Sequence, residues 1–405
     1  MSATPATKRR DRRADILAAT CRVVVSDGLD GLRSATVSAA AGTSAGLVHY
    51  HFPTLDDLAL AAYLWDEERV WEPLAGVDAT ADPLGMLELL LVGQLTEPEA
   101  DVRAGFMLWQ EYARRAIVDD RIREVVVRRI ERWVDVMTGL IRSAAEQGTY
   151  ADAEAAATAA PLFAALLFGA SALHLSGLVP IEVAANDMAT QLAQRVTGTS
   201  RPAAAAPVPA SSDAEVASVS SDAVLDATLA VVARGGVRAV HFADVAAEAG
   251  VSTALPRYYF ATLHGLLAAA FARFTERRRA RVRQLIASAS DPRERVRFAV
   301  VGLAAMDSPQ RRDELIIWHE FLRLGFIHDD VRPVVCAAAQ SDIDELSMLL
   351  GAAGAADTRD PDATARQLVE LVSGVGLGEL LGILGADEAV RILDWAVADA
   401  LSPGA

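Results

Sequence analysis

AGTSAGLVHYHF (residues 41–52) returns 208 positions further on as AGVSTALPRYYF (residues 249–260), with six of the twelve positions identical. The correspondence runs upstream without a gap through Leu17/Leu225, Ala19/Ala227, Thr20/Thr228, Val24/Val232, Gly28/Gly236 and Val37/Val245. A repeat this long reports an architecture. Each copy reads as a short helix, a glycine turn at Gly42 or Gly250, and a second short helix begun at Ser44 or Ser252, the pattern of a helix-turn-helix unit. Weaker echoes follow: Asp82-Pro83 with Asp291-Pro292, WQEY (109–112) with WHEF (318–321), Asp119-Asp120 with Asp329-Asp330, and the apolar stretches around Gly169 and Gly374. Two complete copies of about 200 residues account for all of them.

Across the 405 residues, 52% are hydrophobic but only 6% aromatic, so the apolar content is mostly Ala, Val and Leu. Helices tolerate that mixture and sheets do not; with 3.6-residue periodicity throughout, the expected class is all-α. A net charge of −16 excludes a protein that coats nucleic acid indiscriminately. The charge is uneven, however. Residues 1–52 hold seven Lys/Arg against four acids, with Lys8, Arg9, Arg10, Arg12 and Arg13 clustered, whereas 222–264 hold three Arg against four acids. The two cysteines, Cys21 and Cys336, lie in apolar helical stretches and read as buried small hydrophobes in a reducing compartment. No apolar signal core follows the basic start, so a cytoplasmic location is expected. The uncharged run from Ala155 to Ile181 is long enough to span a bilayer. Pro161, His174 and Pro180 interrupt it, and a buried bundle helix is the expectation.

In chain order the pattern predicts a disordered basic arm (1–10) and a helix over 12–26 ended by Asp27-Gly28. Helices over 34–41 and 45–51 follow, then a fourth capped by Thr54 and running to 70. Further helices fall at 84–96, 99–117, 119–147, 152–178 and 182–196. A Pro/Ala/Ser-rich linker, 197–221, precedes a restart at 222–234, 242–249, 252–260 and 262–288. The domains are then the arm (1–10), head one (11–60), body one (61–196), linker (197–221), head two (222–268) and body two (269–405).

ADILAATCRVVVSDGLDGL (14–32) followed by AGTSAGLVHYHF and a polar turn resembles the tetracycline-repressor (TetR) family of transcriptional regulators. The resemblance covers about 60 residues at the start of each copy. It implies two tandem units, each a three-helix head plus a helical body with an inducer pocket, packed as an internal pseudo-dimer and open to further homodimerisation. It further implies double-stranded operator DNA as a partner and recognition helices at 44–51 and 252–259. On the implied helical wheel Ala45, Gly46, His49 and His51 face outward in the first copy, and Thr253, Ala254, Arg257 and Tyr259 in the second. Tyr50, Tyr258, Phe52 and Phe260 are expected inside the heads. Ser44, Ser252, Thr54 and Thr262, with Arg9, Arg10, Arg12 and Arg13 of the arm, complete the expected DNA contacts. Where the family usually carries Lys or Arg, this chain has Ala45, Leu55, Thr253 and Leu263. Asp56 and Asp57 would repel phosphate, and Pro256 would disturb the second recognition helix. Binding is therefore expected to be salt-sensitive and to lean on the arm.

Aromatic residues supply the expected pocket for a small, mostly apolar effector: Trp65, Phe106, Trp109, Tyr112, Trp133 and His174 in body one, Trp318 and Phe321 in body two. Glu111, Glu320 and His319 are candidates for its polar contacts. Arg273, Arg277, Arg278, Arg279, Arg281 and Arg283 read as a solvated helix face, and Gly374, Gly378 and Gly382 as a ridge for close helix approach. Aligning Gly169 with Gly374 sets His174 against Glu379 as a polar pair. No phosphate loop, zinc-ligand spacing or nucleophile elbow is present, so neither an enzyme nor a cofactor or metal is expected, and no membrane partner. A rival reading is a ligand- or protein-binding module with vestigial heads.

Overall fold

Polar side chains just ahead of the helices set where they start. The structure, a computed structural model, describes residues 5–72, 81–96, 98–148, 156–196, 221–306, 308–354 and 360–402, and only the backbone of 5–11, 99, 156–158 and 194–196. Among these residues every regular element is helical. The first half comprises α1 (Pro5–Asp27), α2 (Ser34–Ala40), α3 (Ala45–His51), α4 (Leu55–Trp71), α5 (Pro83–Leu91), α6 (Glu99–Ala116), α7 (Asp120–Glu146), α8 (Ala156–Leu175) and α9 (Ile181–Val196). The second comprises α10 (Ser221–Gly235), α11 (Phe242–Glu248), α12 (Ala254–Tyr259), α13 (Leu263–Ala287), α14 (Pro292–Leu303), α15 (Arg311–Ile327), α16 (Arg332–Ala352), α17 (Pro361–Leu380) and α18 (Ala386–Ala400). Thr54 caps α4 by accepting from the Asp57 N–H at 3.0 Å, and Thr262 caps α13 from Gly265 at the same distance. Asp82 and Asp291 cap α5 and α14 in the same way; each such cap contributes about 1 kcal/mol. Gly42 and Gly250 make the head turns at φ +61° and +65°, a region open to glycine.

Several boundaries differ from the sequence reading. Residues 5–10 continue α1, so the arm is helical there rather than disordered; Pro5, first in the helix, has the fixed φ and absent N–H that suit that position. The side chains of Arg9 and Arg10 lie outside the described residues, as does the linker over 197–220; Ser221 already opens α10. The helix expected to reach 96 stops at Leu91 and passes into a tight turn at Gly93–Leu95. Pro161 lies within α8, as the helix expected over 152–178 implies. No helix among the described residues is long and apolar enough to cross a membrane. The step of 209 that relates Trp109 to Trp318 continues to the next corner, where Arg123 donates to the Ala116 and Ile117 carbonyls and Arg332 to those of Gly325 and Phe326. Asp120 therefore corresponds to Asp329, not Asp119 to Asp329.

The seam between the halves is where α8 meets α17. Both helices are apolar and almost wholly buried, because α8 packs on α6 and α7 on one side and α17 on the other. A Cβ on Gly169 would fall 1.7 Å from the Glu370 carbonyl oxygen, and one on Gly374 1.8 Å from that of Ala165. The two contacts are the same contact viewed from either helix, since one step of 205 residues carries Gly169 to Gly374 and Ala165 to Glu370. Around it, Arg366 binds Asp187 through two bonds of 2.6 and 3.0 Å, Gln191 meets Gln367 at 2.6 Å, and the Cys336 thiol reaches the Ser176 carbonyl at 3.3 Å. Burial raises the Glu370 carboxyl well above its ordinary range. The expected His174–Glu379 pair does not form: His174 Nδ1 meets the Val179 carbonyl at 3.1 Å, while Glu379 is taken by Arg311. Each prefers a partner in its own half, within reach of its own helix end.

Gly374→Ala should destabilise the protein by about 1–3 kcal/mol or more, because backbone opposes the new methyl and has no rotamer to retreat into. Gly139→Ala, which meets nothing within 4 Å, should stabilise by about 0.5–1 kcal/mol. Urea midpoints for the two variants check the order.

Candidate nucleic-acid interface and effector cavity

In each head a short helix is anchored on one side and bare on the other. Val48 and Phe52 are buried at 1% and 4% exposure, spaced i, i+4 on one face of α3. Tyr50 lies two positions from Val48, hence on the opposite face, and is 64% exposed; Tyr258 is 82% exposed. Both were expected inside the heads, and the i, i+4 anchors turn them outward. Phe52 is buried as expected, and Phe260 packs partly buried against the core. Ala45, Gly46 and His49 are exposed, whereas His51 is half-buried against Phe52. In the second head Thr253, Ala254, Arg257 and Tyr259 are exposed. The Arg257 guanidinium lies 4.9 Å above the Phe242 ring.

Ser44 caps α3, its Oγ accepting from the Leu47 N–H at 3.3 Å. Its counterpart Ser252 instead offers its backbone carbonyl to Leu255, and α12 starts two residues later than expected. Pro256 then falls in the first turn, where a missing N–H breaks no helical bond. It is buried where Val48 is, and the following phenylalanine N–H bonds the carbonyl of each, Phe52 to Val48 and Phe260 to Pro256, at 2.9 Å. The proline anchors the helix and does not disturb it. Arg12 and Arg13 remain on the outer surface of α1, Arg13 5.2 Å over the Phe52 ring. Asp57 pairs with Arg121 at 3.0 Å and Asp56 with Arg115 at 3.9 Å, so the body offsets the acids beside the head. The Thr54 hydroxyl, then Arg121, hold the Asp57 carboxyl below its usual range.

The heads are tied to the bodies by two buried glutamates. Glu111 on α6 accepts from the Leu29 N–H at 2.8 Å, just after α1, and Glu320 on α15 accepts from the Val237 N–H at 2.9 Å, just after α10. Each glutamate also pairs with an arginine of the opposite half: Glu111 with Arg323, and Glu320 with Arg114 at 3.6 Å. Asp30 completes the set, meeting Arg238 at 2.8 Å, Arg114 at 3.3 Å and Arg323 at 3.4 Å. Glu111 and Glu320, candidates for effector contacts, serve here instead.

The expected pocket residues do not converge on one cavity. Tyr112 donates to the Ala59 carbonyl at 2.7 Å and packs on Tyr63. Trp65 lies beneath Arg69, Trp133 packs on Trp71, and Phe106 meets His174 edge-on. Trp109 stacks at 4.7 Å on Phe168, which lines a seam cleft of about 230 Å³ with Gly374, Gly378 and Gly382 opposite. Phe321 stacks on Phe271 in the second core. Trp318 does line a cavity, a closed one of about 20 Å³ that holds roughly one water. Its walls join Phe274, Leu315 and Val369 to Arg278, Asp342 and His319. Arg278 is paired with Asp342 and lies 4.3 Å over the Trp318 ring. Arg278 Nε, Asp342 Oδ1 and His319 Nε2 are buried without a hydrogen-bond partner. The arginine run of α13 is thus a solvated face only in part: Arg277 and Arg283 are exposed, whereas Arg278 is buried and Arg273, Arg279 and Arg281 are half-buried. Arg273 and Arg277 hold Asp226, Arg278 holds Asp342, and Arg281 holds Glu314. Sequence reasoning missed this lining because Asp342 comes 64 residues after its partner. The cysteines are free, and burial pushes the Cys21 thiol up to about 12.

The sequence profile described as "Bacterial regulatory proteins, tetR family" matches residues 16–62. Over 180 residues the chain is 28% identical to the HTH-type transcriptional repressor KstR of Mycolicibacterium smegmatis, covering 43% of this chain and 83% of that protein. Similar solved structures include a putative TetR-family regulator from Rhodococcus sp. (26% identity, TM-score 0.42, 45% of this chain and 98% of that one). Another is a putative regulator from Saccharomonospora viridis in complex with choline (22% identity, TM-score 0.40, 45% and 95%). The profile and the repressor support a TetR-family helix-turn-helix regulator fold, that of a transcription factor and not an enzyme.

Burial lowers the His319 pKa from 6.5 to about 4. Between those values the unfolded chain binds a proton that the native one refuses, so this histidine's effect is loss of stability as pH falls. At pH 5 it amounts to about 2 kcal/mol. His319→Gln should therefore lose less stability than the wild type between pH 7 and 5; equal losses in urea titrations would contradict it.

Proposed function

We propose that the chain is an effector-responsive transcriptional repressor in which residues 11–196 and 222–405 form two units paired across the α8–α17 seam, reading one asymmetric operator with two unlike heads in the cytoplasm. The observation that carries this reading is the difference between the two bare helix faces. Ala45, Gly46, His49 and Tyr50 stand in one head where Thr253, Ala254, Arg257 and Tyr258 stand in the other, all exposed. A helix presented this way enters the major groove with its early residues at base edges. Arg257 would leave the Phe242 ring for a guanine edge, and the exposed tyrosines would donate to phosphate. Arg9, Arg10, Arg12 and Arg13 would add sequence-independent attraction, as would the exposed Thr54 and Thr262 hydroxyls beside the backbone. That most of a known repressor maps onto under half of this chain supports two units in tandem, and that relative's name supports repression.

The effector site is proposed at the Trp318 cavity, for a small molecule with an apolar frame and one polar group that answers Arg278, Asp342 or His319. A closed volume this small means that the body opens on binding. Helix α15 carries Trp318 and His319 into the cavity, and Glu320 and Arg323 into the network that holds the heads. Displacing α15 would loosen the Glu320 bond to Val237 and change the spacing of the heads, a coupling typically of about 1–3 kcal/mol.

Selection of bound DNA from a random pool should return a site whose half-sites differ. Arg257→Ala should weaken binding to one half-site about fivefold to 150-fold, matching about 1–3 kcal/mol per base contact, while His49→Ala acts on the other. A symmetric site, or equal effects on both halves, overturns asymmetric reading. No binding at low salt would instead leave the heads without a DNA role.

A further inference from the structure

Where head two meets its body, the chain brings two imidazoles and a carboxylate together. His264 lies in the first turn of α13, His328 closes α15, and Asp330 lies in the corner before α16. His264 Nδ1 is 3.1 Å from Asp330 Oδ2, and the two imidazole centroids are 4.3 Å apart. One donor atom from each residue lies within 4.8 Å of the other two. Ligands bound about 2.0–2.2 Å from a tetrahedral ion stand roughly 3.4 Å apart, so modest side-chain rotation closes the set. His264 and His328 are half-buried and Asp330 is exposed, which leaves solvent access and an open fourth position. The separation of 64 residues between His264 and His328 hid the cluster from any reading of ligand spacing.

The first half shows what this corner does without such residues. By the steps established above, Asp56 stands at the position of His264, Asp119 at that of His328 and Arg121 at that of Asp330. There the head is clasped to the body by the Asp57–Arg121 pair at 3.0 Å. The second half replaces two aspartates and an arginine with two histidines and an aspartate, which puts imidazole, the ligand suited to transition metals, in place of carboxylate twice and a carboxylate ligand in place of a cation once. A simple ion pair needs only His264 and Asp330. A second imidazole against the first adds nothing to such a pair, and opposes it when both are charged. The positive end of α13 disfavours a cation by about 0.3–1 kcal/mol, less than three ligands contribute. Arg323, which acts on His328 electrostatically, is itself neutralised by Glu111 and Asp30.

We propose that His264, His328 and Asp330 bind one divalent transition-metal ion of the zinc type, and that this ion fastens the second head to its body. Metal-stripped full-length protein titrated with Zn2+ by calorimetry should take up one equivalent through this site, and Co2+ should give a ligand-field band in the visible. His264→Ala, His328→Ala and Asp330→Asn should each weaken uptake at least tenfold. Asp330→Asn alters one exposed side chain and tests the site with the fold intact, which circular dichroism verifies. His49→Ala/His51→Ala should bind Zn2+ as the wild type does. Uptake unchanged in His264→Ala and Asp330→Asn, uptake abolished by His49→Ala/His51→Ala, or no saturable uptake would each overturn the assignment.

Discussion

The ties between the heads and the opposite halves pass through two buried carboxylates. Glu111 and Glu320 each hold the backbone just after a head's first helix, and each is compensated by an arginine from across the seam. A charge taken out of water is tolerated only with its partners in place, and removing one partner typically costs about 3–5 kcal/mol. The glutamates therefore grip the heads more firmly when the halves are docked, although Glu111 also has Arg114 of its own half at 3.8 Å. Head position thus depends on the pairing as well as on each half's own ties.

The close approach of α8 and α17 supplies the matching constraint. With backbone against backbone at Gly169 and Gly374, neither helix can slide or rotate by much without a clash. Two arginines of the network, Arg114 and Arg323, extend from α6 and α15, which pack against those two helices. A rigid seam thus fixes where the charges meet. Arg273, Arg278 and Arg281 of α13 are spent on partners within the second half.

Much of this was legible in the sequence where the cause is local. Thr54, Thr262, Asp82 and Asp291 announce helix starts because a cap needs only the next three residues. The repeat gave the order of elements, and Gly169 with Gly374 marked the seam through the missing side chains. What was hidden depends on distant partners. Tyr50 read as core until Val48 and Phe52 fixed the inward face, and the spacing held that signal all along. The pairing of Arg278 with Asp342, by contrast, has no trace in either local pattern. Pro256 was misread because the start of α12 moved by two residues, which turned a helix breaker into an anchor.

The six charged groups at the seam also carry information about identity. Asp30 in the first half corresponds to Arg238 in the second, and the two touch at 2.8 Å. As the halves meet, three acids face three arginines and the set is neutral, with Arg238 at its exposed edge. Two copies of the first half meeting in the same way would gather two Asp30, two Glu111 and two Arg114, with two negative charges unanswered. Two copies of the second would leave two positive charges. Each half thus penalises its own kind and accepts its complement, a lock against like pairing that one residue per half, Asp30 or Arg238, is enough to key.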